Sequence, residues 1–300
     1  MNANVLQTYL NRVTLEILEP ELFLWKLGEK PMVEDGYNTI AWAKFDKLAS
    51  SLVTAGTTSN DGVTPSDTAF NATVVSVTPT QYRIVVSLSD LVIERNVINF
   101  LSGAAESVGR SMARKIDDVI QTTVMAGTNV LYATGSARTD IGSTNKLTAD
   151  MLNKASAFLD GKFALKQETG NYVAVTHPFC VYDLRSVSSA GAWMDSTKYA
   201  RPDQIFKGEI GMLSNVRIIV APNINTFSST TTVYPTLVFG KQAYGVSSFQ
   251  TLQTFVTPAV ASDSDPLAQR RKVGAKVAFG VVRLQEDCMV RIETAATAVF

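Results

Sequence analysis

Cysteine, histidine and charge are scarce in this 300-residue chain: two Cys, one His and a charged fraction of 18%. Cys180 and Cys288 cannot staple a chain of this length, and they read as buried thiols of a protein folded in a reducing cytoplasm. One histidine and two distant cysteines offer no zinc-ligand spacing. His177 stands directly before Pro178 at a strand–helix junction and reads as structural. Neither sign of charge is in excess, 27 Lys and Arg facing 27 Asp and Glu, so nothing pulls the chain as a whole toward nucleic acid or acidic partners. No apolar run approaches the ~18–20 residues of a membrane helix. Arg12, Glu16, Glu19 and Glu21 break up any secretory-signal core near the start. The Gly-rich phosphate-binding fingerprints and the nucleophile-elbow pattern are missing as well. With 46% apolar residues and so little charge, much of the surface is expected to be covered by something other than water, and self-association is the direct reading.

The chain does hold one unusually long helical pattern. From Leu91 to Ala126 there is no proline, and the glycines are Gly103 and Gly109. Leu101, Ala104, Ala105, Val108, Met112, Ile116, Val119, Ile120 and Val124 recur on one face, with Glu106, Arg110, Arg114, Lys115, Asp117 and Asp118 mostly off it. A continuous helix over that span would be roughly 54 Å long, against an ordinary length of about 11–12 residues. Ahead of it lie an amphipathic N-terminal stretch ending at Pro20, a strand over 37–45, a soft tip over 54–68, and strands over 70–77 and 82–88. Strand, soft tip, strand reads as a two-stranded arm resting on an adjacent subunit, since such a ribbon is marginal in water unless something packs on it; the alternative is an ordinary loop.

After a Gly/Ser/Thr-rich connection over 131–147, helical and strand patterns alternate through about 145–255, as in a compact α/β region. A helix is expected from Thr148 to Phe163, with Met151, Leu152, Ala155, Phe158 and Leu159 inward. Strands follow at 172–176, 216–220 and 236–239, with a helix opening at His177-Pro178 and turns at Gly208, Gly211 and Pro222. The stretch 272–296 is strand-rich and is expected to pair back with the early strands. Candidate chemistry is thin. Asp263 and Asp265 lack the downstream carboxylate of a calcium loop and suit a turn. Arg270, Arg271, Lys272 and Lys276 suit a solvated face or non-specific phosphate contact. Glu106 and Arg110 form an i,i+4 surface pair. No cofactor, metal or catalytic residue is expected.

The order of parts, with SLSDLVIERN at 87–96, YVAVTHPFCVYDLR at 172–185, GEIGMLSNVRIIVAPNI at 208–224, VYPTLVFGKQAYG at 233–245 and DPLAQRRKVGAKVAFGVVRL at 265–284, resembles the major capsid proteins of tailed double-stranded DNA phages with the Hong Kong 97-type fold. Within these, it is similar to the family named after the N4 phage coat protein. Ala275 departs from the aromatic expected before Lys276. The resemblance implies an α+β fold with an N-terminal arm at 1–36 and an extended loop, the E-loop, at 37–88. It implies a peripheral P-domain with the spine helix at 89–144, an axial A-domain at 145–255, and returning P-domain strands at 256–300.

It implies no enzyme but a subunit of pentamers and hexamers in an icosahedral shell around double-stranded DNA, folded and assembled in the host cytoplasm and resident in the virion. Portal and scaffolding proteins, a decoration protein and non-specific contact with the packaged DNA are the implied partners, with no membrane. Inter-subunit contacts are expected at Leu22, Phe23 and Trp25 on the N-terminal arm, and at Trp42, Lys44 and Asp61 on the extended loop. On the spine they are expected at Glu106 and Arg110, and on the returning strand at Arg270 and Arg271. The alternatives are an encapsulin-like compartment with the same fold and an α/β enzyme using His177 and Cys180.

Overall fold

In a computed structural model, the described residues are 22–31, 39–45, 53, 62, 64, 71–95, 100–167, 170–186, 212–213, 215–261, 263 and 265–298. The helix expected before Pro20, most of the 54–68 tip, Asp61, Gly208 and Gly211 lie outside them.

The helical pattern forms two helices, α1 (Asp90–Arg95) and α2 (Phe100–Met125), and residues 96–99 between them lie outside the described set. The spine is therefore α2, 26 residues and about 39 Å, shorter than the expected ~54 Å. Its apolar stripe is where the 3.6-residue period puts it: Ala105, Val108, Met112, Ile116, Ile120 and Val124 are all buried. Two polar residues share that face. Asp117, expected among the solvated positions, is buried, and so is Gln121.

The spine lies on a three-stranded antiparallel sheet made of β3 (Thr80–Ser89), β10 (Tyr244–Thr257) and β11 (Arg270–Arg283), with β11 in the centre. The expected pairing of the late strands with the early ones is this β11–β3 ladder, running from Arg270 opposite Ser89 to Phe279 opposite Thr80. Period-2 alternation sends Tyr82, Ile84, Val86, Val273, Ala275 and Val277 toward the spine. Ala275 is buried there between its register partners Ile84 and Thr254, where a small side chain leaves room for the helix. Strand β10, 14 residues long, has no counterpart in the sequence reading.

The larger sheet has seven strands in the order β4-β12-β9-β5-β7-β6, with β8 added on β9. They are β4 (Val130–Tyr132), β5 (Tyr172–Thr176), β6 (Met212–Leu213), β7 (Val216–Val220), β8 (Phe227–Ser228), β9 (Thr232–Phe239) and β12 (Met289–Thr294). The 131–147 connection thus holds a short strand parallel to β12. Every residue of β5 is buried, which requires cover on both faces. Helix α3 (Ala149–Gly161) and helix α4 (Pro178–Ser186) carry Leu152, Ala155, Leu159, Cys180 and Leu184 into the same core as the spine. Phe158, expected inward on α3, is instead 37% exposed. A separate ribbon pairs β1 (Ile40–Phe45) with β2 (Ala72–Val77), from Ile40 opposite Val77 to Phe45 opposite Ala72.

Candidate assembly interface

The β1–β2 ribbon is joined to the body at its root. Trp42 packs on Gly245 of β10, where a Cβ would lie 2.6 Å from the indole ring. Val77 packs on Gly280 of β11, where a Cβ would lie 2.8 Å from its methyl carbon. Gly245 is paired with Val282 and Gly280 with Ser247, two steps along the same ladder and on the sheet face opposite the spine, so two bare backbone positions form the seat. Trp42 is buried, and its indole N–H has no acceptor among the described residues. Beyond the root, Val74 is 63% exposed, and Lys44 is half-buried. Gly280→Val should overpack the seat and cost about 1–3 kcal/mol. The subunit is expected to keep its circular-dichroism spectrum while the yield of shells in sedimentation falls at least tenfold. Normal yield would separate the seat from assembly.

The N-terminal segment is held on the opposite face. The backbone N–H groups of Phe23 and Leu24 donate to the Asp117 carboxylate at 3.2 and 3.4 Å, and the Tyr244 hydroxyl donates to the Leu24 carbonyl at 2.7 Å. Trp25 meets Phe279 edge-on at 5.7 Å, and Glu29 bridges to Gly245 beside the edge of β10. Leu22 is buried here, and Phe23 and Trp25 are partly buried against the same core. Sequence spacing could not reveal this, because the partner of Asp117 lies 94 residues away.

Burial pushes the Asp117 carboxyl up from 3.8 to about 6, against the two backbone donors, which favour its charge. The folded chain thus holds this proton more tightly than the unfolded chain. The stabilisation is complete below about pH 4 and is lost as pH rises through about 6, on the order of 3 kcal/mol in all. Asp117→Asn should flatten the melting temperature between pH 4 and 7. An unchanged pH profile in the variant would exclude Asp117 as its source.

Glu106 and Arg110 form a 2.8 Å pair on the exposed side of the spine. Arg271 pairs with Asp90 of its own chain at 3.4 Å. Arg270 is exposed, and its backbone N–H donates to Asp265, whose carboxylate also accepts from the Gln269 N–H and so closes a turn. Among the described residues no three metal-ligating side chains gather, the 263–265 turn included. The Phe179 N–H donates to His177 Nδ1 at 3.2 Å, and the imidazole leans on Phe179 and Tyr234 with its pKa lowered by burial. The Cys180 thiol is buried 3.9 Å from Thr294 Oγ1, and burial pushes it up to about 11, which disfavours a thiolate nucleophile.

The family model described as phage capsid protein matches residues 72–292, from β2 through β12. The chain belongs to that family. It is a phage capsid protein. No curated protein matches the capsid protein in sequence. Its fold is similar to that of the capsid of Ralstonia phage GP4, with a TM-score of 0.70 at 16% identity over 91% of this chain and 88% of that one. It is likewise similar to the capsid of cyanophage Pam1, with a TM-score of 0.68 at 15% identity over 87% and 86%. For the Mycobacterium phage Che8 protein the TM-score is 0.60 at 17% identity, over 86% and 85%. At such identities the likeness establishes the Hong Kong 97-type fold and no residue's role. Among the described residues, no helix is long and apolar enough to cross a membrane.

Proposed function

We propose that this capsid protein fills both pentamers and hexamers of its shell and reaches neighbouring subunits with the β1–β2 ribbon. The observation that carries this reading is the ribbon itself: two strands in a sheet of their own, seated on the body at Trp42 and Val77. A two-stranded ribbon is marginal in water by itself, so a neighbour completes its packing. Segments 1–36 and 37–88 would then serve as arms, 89–144 with 256–300 as the peripheral domain, and 145–255 as the axial domain. Strand β3 belongs to the body's sheet, so the free part of the arm ends near Val77. Leu22, Phe23 and Trp25 on the N-terminal segment, Trp42, Lys44 and Asp61 on the extended loop, Glu106 and Arg110 on the spine, and Arg270 and Arg271 on β11 are the contacts proposed with neighbours. Portal, scaffolding and decoration proteins are the proposed partners, assembly takes place in the host cytoplasm, and the shell encloses double-stranded DNA. Each arm contact is weak alone, and closure of the shell makes them cooperative.

Deleting 54–68 tests the arm. The shortened chain should fold, with a melting temperature within a few degrees of wild type, yet fail to give closed shells by negative-stain microscopy. Wild-type particles from that deletion would refute the arm's role.

A further inference from the structure

The N-terminal segment crosses the larger sheet over a cavity of about 410 Å³ whose charged lining is mostly cationic. Lys26 and Lys30 line it from the segment, Arg217 from β7 and Lys241 from the turn after β9, while Glu29 is the carboxylate on its wall and Gln167 adds an amide. Two backbone devices hold these cations in place. The Glu29 N–H donates to the Tyr244 carbonyl and the Glu29 carbonyl accepts from the Val246 N–H, each at 2.9 Å, which fixes the segment on the edge of β10. Gly28 is required there, since a Cβ would lie 2.5 Å from a Val246 methyl. On the other wall, the Lys241 N–H donates to the Leu165 carbonyl at 2.7 Å, and Gly240 leaves room for that carbonyl. Among the described residues no carboxylate comes within ion-pair distance of Lys26, Lys30 or Lys241. A concave site in which one sign of charge predominates focuses the field and concentrates counter-ions, and lysine binds phosphate as a point charge. The volume suits a small anionic group, small-ligand sites running about 300–1,000 Å³.

We propose that this cavity is an anion site that takes phosphoryl oxygens, supplied by the backbone of the packaged DNA or by free phosphate. The assignment to DNA rests on the reading of the shell as a DNA container. The site itself rests on the cations and the fixed backbone around them. If DNA is the source, the cavity lies on the lumenal side of the shell, and Lys26, Lys30 and Lys241 hold phosphates without reading sequence.

The test titrates a fluorescent 20-base-pair duplex into the full-length capsid protein over a salt series, with wild type beside Lys26→Gln/Lys30→Gln/Lys241→Gln. Each phosphate lost should lower the slope of log K against log salt by about 0.9, so the triple variant should lose about 2–3 in slope and at least tenfold in affinity at low salt. Inorganic phosphate is titrated in parallel by melting temperature. A rise in wild type that is absent in the variant, with duplex binding unchanged, assigns the site to a free anion. The Lys→Arg triple should restore binding and shows that loss of charge, and not of fold, is responsible. Arg83→Gln/Lys276→Gln removes a basic pair elsewhere, on the small sheet. If that variant carries the whole loss, or the cavity variant changes neither titration, the proposal is overturned. Negative-stain images of the same preparations report shell formation separately, so failure of the anion site and failure of the shell reading are distinguished.

Discussion

Val108→Asp is expected to abolish the folded subunit. Val108 is 1% exposed on the spine's inward stripe, between the buried Ala105 and Met112, and α2 rests on β11 along that face. The substitution removes about 1.5–3 kcal/mol of valine burial. It also places a carboxylate inside an apolar cluster, which adds several kcal/mol or forces protonation. Together these rival the roughly 5–15 kcal/mol that hold a typical domain. Ser107, one residue back, is exposed, and Ser107→Asp should stay within about 0.5 kcal/mol. Soluble yield and thermal melts of the two variants make the comparison. A Val108→Asp chain melting within a few degrees of wild type would show that the helix does not depend on this face.

Glu293→Ala should cost about 3–5 kcal/mol, the range for breaking a buried ion pair from one side. Glu293 is fully buried on β12, and both its oxygens are engaged by Arg138, through Nε and a terminal nitrogen at 2.7 Å each. Arg291 reaches the same carboxylate at 2.8 Å, and the Arg138 guanidinium stacks 3.6 Å from the centre of the Phe227 ring. Alanine would strand two guanidinium groups beside that ring with no anion between them. Melting should fall by roughly 10 °C or more, while Glu106→Ala on the exposed spine pair should change stability by less than about 1 kcal/mol. Equal effects of the two would show that burial does not set the difference.

Period carried much of the fold into view. The spine's stripe, β5, α4 and the return of the late strands follow from spacing, because a buried face must recur every 3.6 or 2 residues. Strand β10 escaped because its pattern changes midway. Tyr244 to Ser247 are buried on both faces where the arm and the N-terminal segment cover the sheet, and alternation begins only beyond them. Phe158 was misplaced because an apolar residue at helical spacing says nothing about where the neighbouring layer ends. The ion network at Glu293 joins residues 155 apart and left no local signal. Nor did the cavity at Lys26, whose cations come from three separate stretches of chain.

The sequence by itself determined the α+β class, the amphipathic spine, the strands of the β1–β2 ribbon and, through its resemblance, the capsid family. These rest on local periodicity and on motifs that survive in one dimension. Tertiary structure alone decided that Asp117 holds the N-terminal segment, that Gly245 and Gly280 seat the arm, and that four cations share one cavity. Each of these joins residues far apart in the chain, and no periodicity records such a meeting.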